Sequence, residues 1–146
     1  VLGSAQIRVE ARGRVWVCSG DYKRDLDPTC EPFEPVECDA FITEATFGLP
    51  IYKWSPTSEV ARDVLAWQDA CAREGRPALL FCYALGKAQR LLAEIHRLSS
   101  RPVFAHGAVA NLVDAYRESG VDLPEVARID AAPKGSSFAG ELILAP

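Results

Sequence analysis

PALLFCYALGKAQRLLAEIHRL, residues 77–98, carries the reading of the fold. Pro77 opens a continuous apolar run, Ala78 to Tyr83, which reads as a strand buried on both faces. Gly86 then turns the chain, and Ala88, Leu91, Leu92, Ile95 and Leu98 recur at helical spacing as one apolar stripe. A buried strand followed at once by an amphipathic helix is the repeating step of an α/β protein.

The same alternation continues outward. Upstream, Val60, Val64, Trp67 and Cys71 predict a helix that Thr57 or Ser58 caps, Glu59 favours in its first turn and Gly75 ends. Downstream come a strand at Pro102–Ala105, a helix carrying Val109, Leu112, Val113 and Tyr116 that stops at Gly120, and a last strand at Glu141–Ala145. A short strand, Ala40–Thr43, precedes all of these. From Asp39 onward the order is therefore strand, helix, strand, helix, strand, helix, loop, strand, which predicts a parallel-rich sheet with helices on both faces. At the start of the chain, Gln6–Ala11 alternates apolar and polar residues, and Val15–Cys18 follows an Arg-Gly turn, so the pair predicts a β-hairpin. Tyr22–Glu37, rich in proline and charge, reads as a loop. The fold expected is α/β, preceded by that hairpin.

With 146 residues, 49% hydrophobic and 25% charged, the chain has the composition of a globular domain and not of a disordered one. The net charge of −4 excludes a generally basic nucleic-acid binder, though not a local basic groove. The longest apolar run, Pro77–Leu85, falls short of the roughly 20 residues needed to cross a bilayer, and the opening VLGSAQIRVE has no signal-peptide pattern. Five cysteines without a CxxC pair predict reduced, mostly buried thiols and a cytoplasmic setting. The chain has no methionine and shows strand-like patterns close to both ends, so we expect it to be a piece of a longer polypeptide.

Parallel sheets bind ligands beyond the carboxyl ends of their strands. Asp21 lies there, either as a metal ligand or as a turn residue accepting backbone hydrogen bonds. Glu44, in TEATFG, could orient a histidine or act as an acid or base, and is otherwise a loop charge. Gly86 and Lys87, in YALGKAQ, suit either a phosphate at a helix start or a plain turn, and Gln89 is expected to face solvent. His106 could contact a ligand or cap the next helix, whereas His96 is expected on the surface. Lys23, Arg24, Lys53, Lys87 and Arg90 could form a basic rim or simply scatter. Tyr52, Trp54 and Tyr83 could stack bases, Tyr83 fitting the core better.

Taken in order, VLGSAQIRVE, VWVCSGDYK, CDAFITEATFGLPIY, ALGKAQRLLAEI and PVFAHGAV resemble the β-CASP branch of the metallo-β-lactamase nucleases, above all the bacterial ligase-associated DNA exonucleases and mRNA 3′-end processing factors. The resemblance implies a metallo-β-lactamase segment over residues 1–37 and a β-CASP segment over residues 38–146, both truncated. It implies a two-zinc nuclease acting on DNA or RNA, with Asp21 bridging the metals and Glu44 as the acid that hydrogen-bonds a histidine near the leaving group. Gly86, Lys87, Gln89 and His106 would form the substrate-facing rim, with Lys87 where arginine is frequent in the family. DNA ligase-associated repair proteins would be partners, and no membrane is involved. The HxHxDH metal motif of the family is absent. Its neighbouring histidines would fall just before Val1 and beyond Pro146, so the isolated chain is expected to be inactive and to bind zinc poorly. A different class stays open beside this one: a stand-alone nucleotide-binding or interaction module without catalysis.

Overall fold

The structure, a computed structural model, describes every residue from Val1 to Pro146. The chain folds as two compact units, Val1–Trp54 and Ser55–Pro146.

In the first unit, β1 (Ile7–Ala11) and β2 (Arg14–Cys18) form the expected hairpin. Its two-residue loop is Arg12-Gly13, with φ of 52° and 70°, the left-handed pair that matches strand twist. β3 (Ala40–Ile42) pairs parallel with β2, giving a three-stranded sheet in the order β1-β2-β3. The alternation pattern predicts this strand in the large parallel sheet. A three-residue strand carries too little pattern to choose its partner, and here backbone pairing to β2 decides. The boundary between compact units therefore follows Trp54, because β3 is tied to β2, while the family-based division after residue 37 refers to segments of sequence and not to contacts.

The second unit is α/β. It contains α1 (Thr57–Arg73), β4 (Ala78–Phe81), α2 (Lys87–Leu98), β5 (Val103–Ala105), α3 (Gly107–Glu118), β6 (Val126–Arg128), a single 3-10 turn (Ile129–Ala131) and β7 (Leu142–Ala145). The four strands form one parallel sheet in the order β4-β7-β5-β6, flanked by the three helices. The last strand thus enters the middle of the sheet. Leu142, Ile143 and Leu144 are all buried there, as befits a strand paired on both edges. The core combines these residues with Ala78, Val103 and Ala105 from neighbouring strands and Leu91, Leu92, Ile95, Val109 and Val113 from α2 and α3.

Several local expectations change. β4 is an edge strand, and its run is not buried on both faces: Leu79 is 44% exposed and Phe81 70%. On α1 the buried face is Ala61, Val64, Gln68 and Cys71, while Val60 and Trp67 point outward. The polar Gln68 is tolerated because its Nε2 donates to the Gly140 carbonyl at 3.0 Å. Pro56, not Thr57 or Ser58, precedes the first turn of α1, and no side chain caps it. Of the five cysteines, all free, only Cys71 is buried, and Cys18 is exposed. No helix is long and apolar enough to cross a membrane.

Candidate functional site

Asp21 and Glu44 both belong to the first unit. β2 ends at Cys18 and β3 at Ile42, residues that are in register in a parallel pair, and the Ser19 N–H extends the pairing to the Ile42 carbonyl at 3.0 Å. The chain then leaves each strand at the same end of the sheet, toward Asp21 on one side and Glu44 on the other. Gly20, with φ of +59°, makes the turn before Asp21. Both carboxylates are exposed.

Glu44 is held by Thr46. The Thr46 N–H donates to the Glu44 carboxylate at 2.7 Å. The Thr46 side chain first, and this N–H second, keep the Glu44 carboxyl below its ordinary pKa. A carboxylate so held stays ionised at neutral pH and serves as a hydrogen-bond acceptor.

Asp21 lines a groove of about 440 Å³ together with Lys23, Asp25, Asp27, Glu31 and Glu34. Lys23 Nζ lies 3.9 Å from Asp25, and Asp27 accepts from both the backbone N–H and the hydroxyl of the buried Thr29, at 2.9 and 2.6 Å. Asp25 and Asp27 thus serve separate local contacts. No three His, Cys, Asp or Glu side chains are grouped so as to hold a metal ion, and the chain has two histidines in all. The donors present here therefore do not fit a two-zinc centre.

In the second unit, Gly86 precedes α2 with φ of +79°, a conformation that a side chain would strain. Gln89 is fully buried, contrary to the expectation that it faces solvent. Its Oε1 accepts from the Gly86 N–H at 2.7 Å and its Nε2 donates to the Ala84 carbonyl at 2.9 Å. Both ends of the amide thus pin the loop between β4 and α2. Tyr83, assigned to the core, is 76% exposed instead, and the Lys87 ammonium sits 5.2 Å from its ring centre. Burial pushes the neighbouring Cys82 thiol up.

His106 caps α3: its Nδ1 accepts from the Ala108 N–H at 3.2 Å, while the residue remains exposed. His96 is half-exposed, with Nε2 3.6 Å from Asp122. Beside His106 stands a group that the motifs did not reveal. Arg128, at the end of β6, makes two hydrogen bonds to Asp130, at 3.0 and 2.7 Å, and one to Asn111 Oδ1 at 2.5 Å. The Asp130 carboxyl is lowered, first by this Arg128 bonding. Gly107 leaves room for the guanidinium, since a Cβ there would come within 2.6 Å of Arg128 Nη2. A periodicity reading finds β5 and α3 but not this group, because β6 is three residues long and Asp130 follows it in a single 3-10 turn. Of the five basic residues considered for a rim, Lys23, Arg24 and Lys53 lie in the first unit and Lys87 and Arg90 in the second.

No family model matches the chain. Curated relatives do. It is 31% identical over 149 residues to a protein named "Probable DNA ligase" from Opitutus terrae, a match that covers all of this chain and 14% of the relative. It is 24% identical over 124 residues to an RNase J-like protein of Methanocaldococcus jannaschii, covering 80% of this chain and 30% of that one. It is 30% identical over 94 residues to Endoribonuclease YSH1 of Saccharomyces cerevisiae, covering 63% of this chain and 12% of that one. The chain spans less than a third of the length of each of these relatives.

Proposed function

Related to the β-CASP branch of the metallo-β-lactamase nucleases, this chain, we propose, supplies part of a zinc-dependent nuclease that hydrolyses phosphodiester bonds of DNA or RNA, of exonuclease or 3′-end processing type. The observation that carries the reading is the placement of Asp21 and Glu44 at one end of the parallel β2–β3 pair, in a chain whose relatives include proteins named as an RNase J-like protein and an endoribonuclease. Residues 1–37 would belong to the metallo-β-lactamase core and residues 38–146 to the β-CASP segment. β3 joins the two by pairing with β2.

In this reading Asp21 is one metal-facing carboxylate among ligands that this chain does not itself supply. Glu44 is a positioning residue. Its carboxylate, kept ionised by Thr46, accepts a hydrogen bond from an imidazole N–H and so fixes the tautomer and tilt of that ring. The imidazole could then protonate the departing sugar oxygen. Exposed Lys87 and His106 would face the substrate, and Gln89 would act by holding the Gly86 turn that presents Lys87. With no grouped metal donors, the 146-residue chain alone would be inactive and retain no zinc. Nucleic acid is the proposed substrate, ligase-associated repair proteins are the proposed partners, and the cytoplasm is the proposed location.

The test is a graft. Residues 1–146 replace the matching segment of the Opitutus terrae relative, and cleavage of end-labelled single-stranded DNA and RNA is measured with added zinc. The graft should cleave, Glu44→Gln should lower the rate by about 10–100-fold, and Asp21→Asn should abolish it. A graft that cleaves equally well with Glu44→Gln would defeat the assignment, and robust zinc-dependent cleavage by the isolated chain would defeat the proposed inactivity.

A further inference from the structure

Residues 47–54 of the first unit carry three aromatic side chains that the carboxylate chemistry does not use. Phe47 is 56% exposed, Tyr52 42% and Trp54 71%. They are nonetheless ordered against one another. The Tyr52 and Trp54 rings are parallel to within 8°, with centroids 6.4 Å apart. Phe47 stands edge-on to both, 5.1 Å from Tyr52 and 5.3 Å from Trp54. Two successive turns hold this arrangement: the Gly48 N–H donates to the Ala45 carbonyl at 2.9 Å, and the Tyr52 N–H to the Leu49 carbonyl at 3.1 Å. A side chain at Gly48 would crowd the first, since a Cβ there would lie 3.2 Å from both the Ala45 carbonyl oxygen and its Cβ. The only charged residue in segment 45–56 is Lys53, which lies between the two parallel rings in sequence and is exposed.

Exposed aromatic faces fixed in one orientation, with one cation and no anion within the segment, suit a flat, electron-rich group attached to a negative backbone. We propose that Tyr52 and Trp54, braced by Phe47, form a stacking platform for the bases of single-stranded nucleic acid, with Lys53 meeting an adjacent phosphate. The platform lies only a few residues beyond Glu44 along the chain. Stacking of this kind tolerates any base, because every base has a π face, so the platform would hold a strand without reading its sequence. The proposal rests on the nuclease reading for its choice of ligand, and it adds which residues grip the strand.

The experiment is binding of a short fluorescently labelled deoxythymidine oligonucleotide to the 146-residue chain, followed by anisotropy. The control probe has the same length and abasic sugars in place of nucleosides. The wild-type chain should bind the thymidine strand and quench its own Trp54 emission, and should bind the abasic strand at least about fivefold more weakly. Trp54→Ala and Tyr52→Ala should each lose at least about fivefold for thymidine and little for the abasic strand, while Tyr52→Phe should retain binding. Lys53→Gln should reduce the slope of log affinity against log salt by about 0.7. All of these side chains are exposed, so the fold should tolerate the changes, and circular dichroism of each variant checks this. Equal affinity for the two probes, or unchanged affinity in Trp54→Ala, overturns the platform. The grafted enzyme separates this from the reading beneath it. A graft that binds through Trp54 but does not cleave keeps the platform and loses the nuclease, whereas one that cleaves while Trp54→Ala leaves binding unchanged keeps the nuclease and loses the platform.

Discussion

Val17 is the one fully apolar-buried residue of the first unit, whereas the second unit buries Leu91, Leu92, Ile95, Val103, Val109, Val113, Tyr116 and the whole front of β7. In the first unit Ile7, Val9, Trp16, Phe41 and Ile42 are each more than 40% exposed. The second unit is thus held by side-chain packing around a central strand. The first is held by backbone pairing, by Asp39 bridging to β2, by the Thr29–Asp27 turn and by the stacked pair Tyr22–Phe33. The two candidate carboxylates lie where packing is thinnest. This division of labour places Glu44 and the aromatic platform on turns whose geometry is set by hydrogen bonds, and Asp21 just after the Gly20 turn, and such segments open locally at low free-energy cost.

The sharpest way to break the contrast is to remove equivalent apolar mass from each unit. Leu92→Ala, at a position with no exposure, should destabilise the second unit by about 2–5 kcal/mol. Ile7→Ala, 64% exposed on β1, should change stability by no more than about 0.5 kcal/mol. Urea unfolding followed by Trp emission reads both. Comparable losses at the two positions would mean that the first unit carries a core of its own.

A smaller effect is expected at the buried amide of Gln89. Gln89→Ala leaves the Gly86 N–H and the Ala84 carbonyl without their partners, which should cost about 1–3 kcal/mol. Because Gln89 acts on the loop and not on solvent, the same change should free the Lys87 ammonium from the Tyr83 ring, visible as a loss of ring-current shift at the Lys87 methylenes. An unperturbed Lys87 signal would show that the loop is held otherwise.

These two residues also show what the sequence can and cannot disclose. The apolar stripe of α2 and the run of β4 are legible because many side chains carry one pattern, periodic in the helix and continuous in the strand, so a single exception does not hide the element. Gln89 lies outside that apolar stripe, its amide gives no sign in sequence of which backbone groups it will meet, and a polar residue near a helix start is most simply placed in solvent. The same limit hides β6 and the pairing of β3 with β2, which depend on contacts between distant segments over three residues, and Arg128 with Asp130, a local pair that no periodicity marks. Asp21 and Glu44 were legible as strand-end acids. That they leave the same end of one sheet became visible only with the parallel register Cys18–Ile42.

A weaker perturbation tests how the first unit is held. The Asp39 N–H donates to the Val15 carbonyl at 2.9 Å and its carboxylate accepts from the Val15 N–H at 2.7 Å. Asp39→Ala removes the second of these and should cost about 0.5–1.5 kcal/mol, as one hydrogen bond does. Its clearest sign should be faster hydrogen exchange at Val15, with β7 amides unchanged. Equal acceleration in both sheets would show that the two units unfold together and that the contrast between them is not one of independent stability.

The smallest expected effect concerns Glu44 and the sign of its pH dependence. Thr46 lowers the Glu44 pKa in the folded chain, chiefly through its side chain, so the unfolded chain binds a proton more readily. The interaction is therefore fully present above the ordinary carboxyl value of 4.5 and fades as pH falls through the lower folded value. Thr46→Val deletes the hydroxyl and keeps the N–H. It should raise the Glu44 midpoint toward 4.5 without restoring it fully, as followed by the carboxyl carbon shift in an NMR titration. Because Glu44 is exposed, the change in overall stability should be slight, so the titration and not the unfolding curve is the measurement that decides. A midpoint that stays put in Thr46→Val would remove the basis for treating Glu44 as a pre-set acceptor, and with it the reason to expect that this thinly packed unit holds an imidazole in a fixed orientation.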